Sequence, residues 1–85
     1  MQKKNTRHLR QKKVFREVIG RKVSELREAR KLTTTELAKK AGVSQAQISR
    51  LENGLQGFRS DTLLDIALAL DVHPQVLVAG WKGEK

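Results

Sequence analysis

Between Thr33 and Asn53 the chain repeats one apolar spacing twice, on either side of a single glycine. Leu37, Ala38 and Ala41 lie three or four residues apart, as do Ile48 and Leu51. Each set is one face of a short amphipathic helix. Both runs carry start signals, because Thr33-x-x-Glu36 and Ser44-x-x-Gln47 each read as a capping box. Gly42, between them, supplies a position where the chain can take positive φ without a Cβ penalty. Upstream, Phe15, Ile19, Val23, Leu26 and Ala29, flanked by Val18, form one stripe of a helix over residues 14–31. Gly20 interrupts that stripe; it marks either a close helix–helix approach or the end of an N-terminal extension.

Downstream, Gly54 is the expected αL terminator of the Ile48/Leu51 helix. A loop over residues 55–59 follows, then a helix with Ser60 as N-cap and Asp61 in its first turn. Leu63, Ile66, Ala67 and Leu70 form its core face. Leu64 and Leu68 form a second apolar face, divided between the last helix and another subunit. Pro74 opens a final short helix carrying Val76, Leu77 and Val78. Trp81 closes it, as a packed cap or interface anchor rather than a base-stacking residue.

Two capped helices joined through a glycine have the form of a helix-turn-helix. On the second of them, Ala46, Ser49, Arg50 and Asn53 fall roughly opposite Ile48 and Leu51, and Gln45 projects sideways from the first turn. That outward set suits a DNA major groove: Gln pairs with adenine, Arg with guanine, and Ala contacts a thymine methyl.

Charge strengthens this picture. The chain has 85 residues, enough for one small domain, with 18 Lys/Arg against 9 Asp/Glu and a net charge of +9. Cations that replace counterions on phosphates supply sequence-independent affinity for nucleic acid. Residues 1–13 hold Lys3, Lys4, Arg7, Arg10, Lys12 and Lys13 with no acidic residue. The expectation is a flexible basic arm that follows phosphates or enters the minor groove, with a solubilising tail as the plainer alternative. The domain proper is expected at 14–81, and 82–85 as a short polar tail. Cysteine is absent, which excludes disulfides and thiolate metal sites, and His8 and His73 are far apart. No cofactor, metal or small-molecule ligand is expected. No apolar run nears the roughly 18 residues of a membrane span. The first residues lack the apolar core of a signal peptide, so a cytoplasmic location is expected. An enzyme is disfavoured, since the chain has no Cys, no Tyr and no carboxylate pair set in an apolar pocket.

Arg27 and Glu52 both sit near apolar stripes, where an unpaired charge is costly. Spacing alone leaves open whether they pair across the core or fringe it in solvent.

From Ile19-Gly20 to Trp81, about three-quarters of the chain, the sequence resembles the lambda-repressor-like (Cro-type, XRE-like) helix-turn-helix domain. Val23, Leu26-Arg27, Leu32-Thr33, Glu36-Leu37-Ala38, Ala41-Gly42-Val43-Ser44, Ile48-Ser49, Leu51-Glu52-Asn53-Gly54 and Thr62-Leu63 to Leu70 carry the likeness. It implies a compact five-helix all-α domain that binds double-stranded operator DNA as a two-fold homodimer. Base reading then falls to Gln45, Ala46, Ser49 and Arg50, and phosphate contact to Thr34, Gln47, Asn53, Gln56 and Arg59. The likeness also implies an Arg27–Glu52 ion pair. One departure stands out: Thr34 replaces the family's frequent glutamine at the start of the second helix. The expectation is that Thr34 still reaches a phosphate but is too short to brace Gln45.

The leading expectation is therefore a sequence-specific transcriptional regulator, acting as a repressor on a near-palindromic site. Restriction-modification controller proteins are a sub-case of it. The alternative is an antitoxin-type interaction protein that binds a small protein toxin and autoregulates. Leu64, Leu68, Val76, Val78 and Trp81 offer that partner surface, although no long tail follows the fifth helix to wrap a partner.

Overall fold

Caps and turns set most of the helix boundaries. The computed structural model describes residues 2–81, with side chains from Arg7 onward. It contains α1 (Gln2–Ala29), α2 (Thr34–Ala41), α3 (Gln45–Glu52), α4 (Ser60–Ala69) and α5 (Pro74–Val78), with no strand among the described residues. At the start of α2 the Glu36 N–H donates to Thr33 Oγ1 at 3.0 Å, and Thr33 N–H donates to Glu36 Oε1 at 2.8 Å. This closes a complete capping box. At α3 the cap consists of the forward bond alone, from Gln47 N–H to Ser44 Oγ at 3.1 Å. The start of α4 differs from the expectation by one residue. Arg59 C=O accepts the first helical bond, from Leu63 N–H at 2.9 Å, which puts Arg59 at the N-cap and Ser60 inside the helix.

The first four helices end in the same way. Lys31, Gly42, Gly54 and Asp71 all take positive φ, between 59° and 75°. In each case the following N–H returns to a carbonyl five residues back: Leu32 to Arg27, Val43 to Ala38, Leu55 to Arg50 and Val72 to Ala67, at 2.9–3.1 Å. These are Schellman closures, which satisfy carbonyls the helix ends would otherwise leave open. Leu32, Val43 and Val72 then fold against the core, whereas Leu55 stays 71% exposed.

The core forms where α3 packs between α1 and α2, α4 packs on α2, and α5 bridges α1 and α4. Ile19, Val23, Leu37, Ile48, Leu51, Ile66, Leu70 and Leu77 are fully buried. Ala29, assigned to the α1 stripe by its spacing, is instead exposed in the last turn of α1. Trp81 packs edge-on against Phe15, with ring centroids 5.4 Å apart at 84°. His73 caps α5, its Nδ1 accepting from Gln75 N–H at 3.0 Å.

The expected basic arm and the domain share one helix, since α1 runs continuously from Gln2 to Ala29. The physical reason is cooperativity: the packed part of α1 supplies the costly nucleus, and Lys, Arg, Gln and Leu then extend it readily. A 28-residue helix is about 42 Å long, close to the molecule's 44 Å long axis. Arg7, Arg10, Lys12 and Lys13 lie exposed along this extension. The side chains of Lys3 and Lys4, and residues 82–85, lie outside the described residues.

Gly20 marks a close approach. A Cβ there would run into the Leu51 carbonyl oxygen and sit 2.8 Å from that of Glu52. A mid-helix Gly→Ala change ordinarily gains about 1 kcal/mol. Here Gly20→Ala is expected to lose about 2 kcal/mol through overpacking against a backbone that has no room to yield. Urea unfolding reads the sign directly, and a gain in stability would mean that α1 and α3 have space between them.

Candidate nucleic-acid interface

Two fully buried residues, Ile48 and Leu51, seat α3 on the core, and the opposite side of the helix faces solvent. Gln45, Ala46, Arg50 and Asn53 are exposed, and Gln47 and Ser49 are half-buried. Burial of one α3 face thus presents the expected reading residues together on the other.

The ends of this surface are organised by residues from outside the helix. Gln45 Nε2 donates to Thr34 Oγ1 at 3.0 Å. This overturns the expectation that Thr34 is too short to brace Gln45. The reach comes from Gln45 itself, whose longer side chain swings back from the first turn of α3 to the first turn of α2. At the other end, Arg50 Nε donates to Gln56 Oε1 at 2.6 Å. The expected roles set Arg50 among the base readers and Gln56 among the phosphate contacts; the structure makes the two bonded partners. Nothing in the sequence marks that pairing, because it depends on how the loop after Gly54 turns back on the helix.

The remaining candidates are dispersed. Asn53 folds onto its own helix, with Nδ2 donating to Ser49 C=O at 2.8 Å. Arg59 is exposed at the start of α4. The packed part of α1 lies near the loop, since Glu17 borders Gly54 and Arg16 borders Gly57. Charge pattern does not single out Arg16. Its place at Gly57 follows from the packing of α1 and carries no local sequence signal.

Behind the surface, Arg27 and Glu52 form a two-pronged pair. Arg27 Nε donates to Glu52 Oε2 at 2.7 Å and Nη2 to Oε1 at 3.1 Å. The third nitrogen, Nη1, donates to Leu32 C=O at 2.8 Å. The side chains are 13% and 9% exposed. The Glu52 hydrogen bonds hold the Arg27 guanidinium above its ordinary pKa; partial desolvation opposes this, and the charges of Glu52 and Glu28 add to it. The guanidinium thereby ties the end of α1, the turn into α2 and the end of α3 together.

Among the described residues no three His, Asp or Glu side chains gather as a metal-holding group. No helix among them is long and apolar enough to cross a membrane.

Comparison with known proteins agrees with this geometry. The family model described as "Helix-turn-helix" matches residues 23–77. Two relatives come from Bacillus subtilis (strain 168). The uncharacterized HTH-type transcriptional regulator RghRB is 43% identical over 61 residues, covering 71% of this chain and 44% of that protein. The HTH-type transcriptional repressor RghR is 46% identical over 57 residues, covering 66% and 42%. The chain thus spans under half the length of these curated relatives. Among solved structures, the restriction-modification controller protein C.AhdI of Aeromonas hydrophila superposes with a TM-score of 0.72 at 29% identity, covering 73% of this chain and 94% of that one. The clp gene regulator ClgR of C. glutamicum superposes with a TM-score of 0.73 at 28% identity, covering 76% and 84%.

Removing one member of the ion pair strands the other in a largely dry site. Glu52→Leu alone is therefore expected to cost about 3 kcal/mol. The apolar double variant Arg27→Met/Glu52→Leu should cost clearly less than the sum of its single changes. Chemical denaturation of the four proteins checks this, and strict additivity would show that the two side chains act independently.

Proposed function

The chain belongs to the helix-turn-helix family, of the lambda-repressor-like class, and from that premise we propose that it is a sequence-specific DNA-binding transcriptional regulator. The observation that carries the reading is the outward face of α3, where Gln45, Ala46 and Arg50 stand exposed on a helix anchored from behind. In this reading α3 enters the major groove, with Gln45, Ala46, Ser49 and Arg50 meeting base edges. Thr34, Gln47, Asn53, Gln56 and Arg59 lie along the phosphates, as do the backbone amides near them.

The protein acts as a homodimer on a near-palindromic operator, and it represses. Support for the dimer comes from Leu64 and Leu68, four residues apart on α4, and Val76 on α5, all three of which are apolar side chains left exposed. The name of the relative RghR supports repression. The basic extension of α1 adds phosphate contacts beyond the footprint of α3.

Selection of duplexes from a random library, at near-physiological salt with competitor DNA, tests the reading. The expected product is an inverted repeat with half-site centres about 10–11 base pairs apart. Recovery of no motif, with binding that disappears as salt rises, would reduce the activity to phosphate attraction. On the selected site, Arg50→Ala should cost about 1–3 kcal/mol and relax one base position per half-site. An equal loss on every sequence would remove Arg50 from base reading. Lys12→Gln with Lys13→Gln should instead weaken all duplexes alike. The slope of log K against log salt should fall by about one for each phosphate that is no longer neutralised. An unchanged slope would place the extension away from DNA.

A further inference from the structure

We propose that Gln56 is a specificity-determining positioning residue, which aims Arg50 at a guanine without reading a base itself. The inference rests on the reading of Arg50 as a base-contacting residue and adds to it the device that orients the side chain.

A guanidinium is planar, and its five N–H groups point in fixed directions. Arg50 uses Nε for Gln56 Oε1, and this leaves the outer edge, formed by Nη1 and Nη2, with its paired donors. That edge matches the O6 and N7 acceptors of guanine. An exposed arginine otherwise samples many rotamers, and each must be surrendered on binding. The bond to Gln56 removes much of that freedom in advance.

The device is anchored at its base. Leu55 N–H donates to Arg50 C=O at 2.9 Å, so the residue before Gln56 is tied to the backbone of the arginine it serves. Gly54, at φ 71°, turns the chain there and lies against Glu17 of α1. Gly57, on the other side, lies against Arg16. Gln56 thus lies between two glycines that border α1, and its half-buried side chain bonds back to α3.

Glutamine also suits the electrostatics. A carboxylate would bind Arg50 more strongly but would repel the DNA backbone nearby. The amide offers an uncharged acceptor to Arg50 and keeps its Nε2 hydrogens for a phosphate oxygen. One side chain thereby joins a position-fixing contact to a base-reading one.

The test measures affinities of the full chain for the selected operator and for duplexes changed at the base pair assigned to Arg50. Preference is read as a ratio on one protein sample, so partial loss of folded protein cancels. Gln56→Met keeps the length of the side chain but lacks a strong acceptor, and should lower the guanine preference roughly tenfold. Arg50→Ala should abolish that preference, and adding Gln56→Met to it should change nothing further at that position. Gln56→Glu retains the acceptor and should keep the preference while weakening binding to every duplex. The proposal is overturned if Gln56→Met weakens all duplexes equally and leaves the ratio intact, since Gln56 would then touch phosphate alone. Failure of the underlying reading looks different. In that case Arg50→Ala leaves base preference unchanged at every position, or the wild-type protein selects no motif, and the inference falls with it.

Discussion

Glu52 is held by α1 from two directions, and the position of α3 depends on that grip. Its main chain lies against Gly20, where no side chain intervenes, and its carboxylate is clasped by Arg27. Gly20 and Arg27 are seven residues apart, two turns along nearly the same line of α1. The first contact sets the distance between the helices and the second sets the rotation of α3 about its axis. Ile48 and Leu51 supply the burial that makes the contact favourable, but burial is indifferent to small rotations. A directional pair is not. Since Arg27 also holds the Leu32 carbonyl, the turn into α2 is fixed by the same side chain, and the two helices of the motif are set relative to one another.

With the helix fixed, its exposed side chains can be ordered one by one. Gln45 is restrained from α2 through Thr34, and Arg50 from the following loop through Gln56. Both are long polar side chains that would lose considerable rotamer entropy on docking. Restraint before contact lowers that cost and narrows the set of partner groups each can meet. The restraining residues belong to the segments that flank α3, so the surface is assembled from three stretches of chain around one short helix.

Much of this is legible in the order of residues, for physical reasons that can be named. Thr33 and Ser44 announce helix starts because their hydroxyls have few better uses than an open N–H. Ile48 and Leu51 announce the buried face because the helical period leaves them one side to occupy. The features that escape such a reading depend on context. Lys31 and Asp71 take positive φ without the glycine that ordinarily marks such a turn. The extension of α1 is helical because a packed helix adjoins it, which local composition does not register. The length of Thr34 misleads, because Gln45 provides the reach. The Arg50–Gln56 bond follows from a loop path that no residue spacing encodes.

The continuity of α1 has a consequence for how the molecule approaches a charged rod. Residues 1–16 contain seven of the eighteen cationic side chains and none of the nine acidic ones; the rest of the chain, eleven basic against nine acidic, is nearly neutral at +2. Arg7, Arg10, Lys12 and Lys13 stand exposed on a helix continuous with the domain, so positive charge is displaced toward one end of a 44 Å body and gives the protein an electric dipole. The field of a polyanion pulls on such a body and also turns it. Encounters would begin with the α1 tip nearest the duplex, and the α3 face would then search from a tethered starting point. Salt would shorten the range over which this torque acts, to about 8 Å at physiological ionic strength. Orientation on approach thus becomes a property of the unbroken run of α1 through residues 13–14 as much as of the α3 surface.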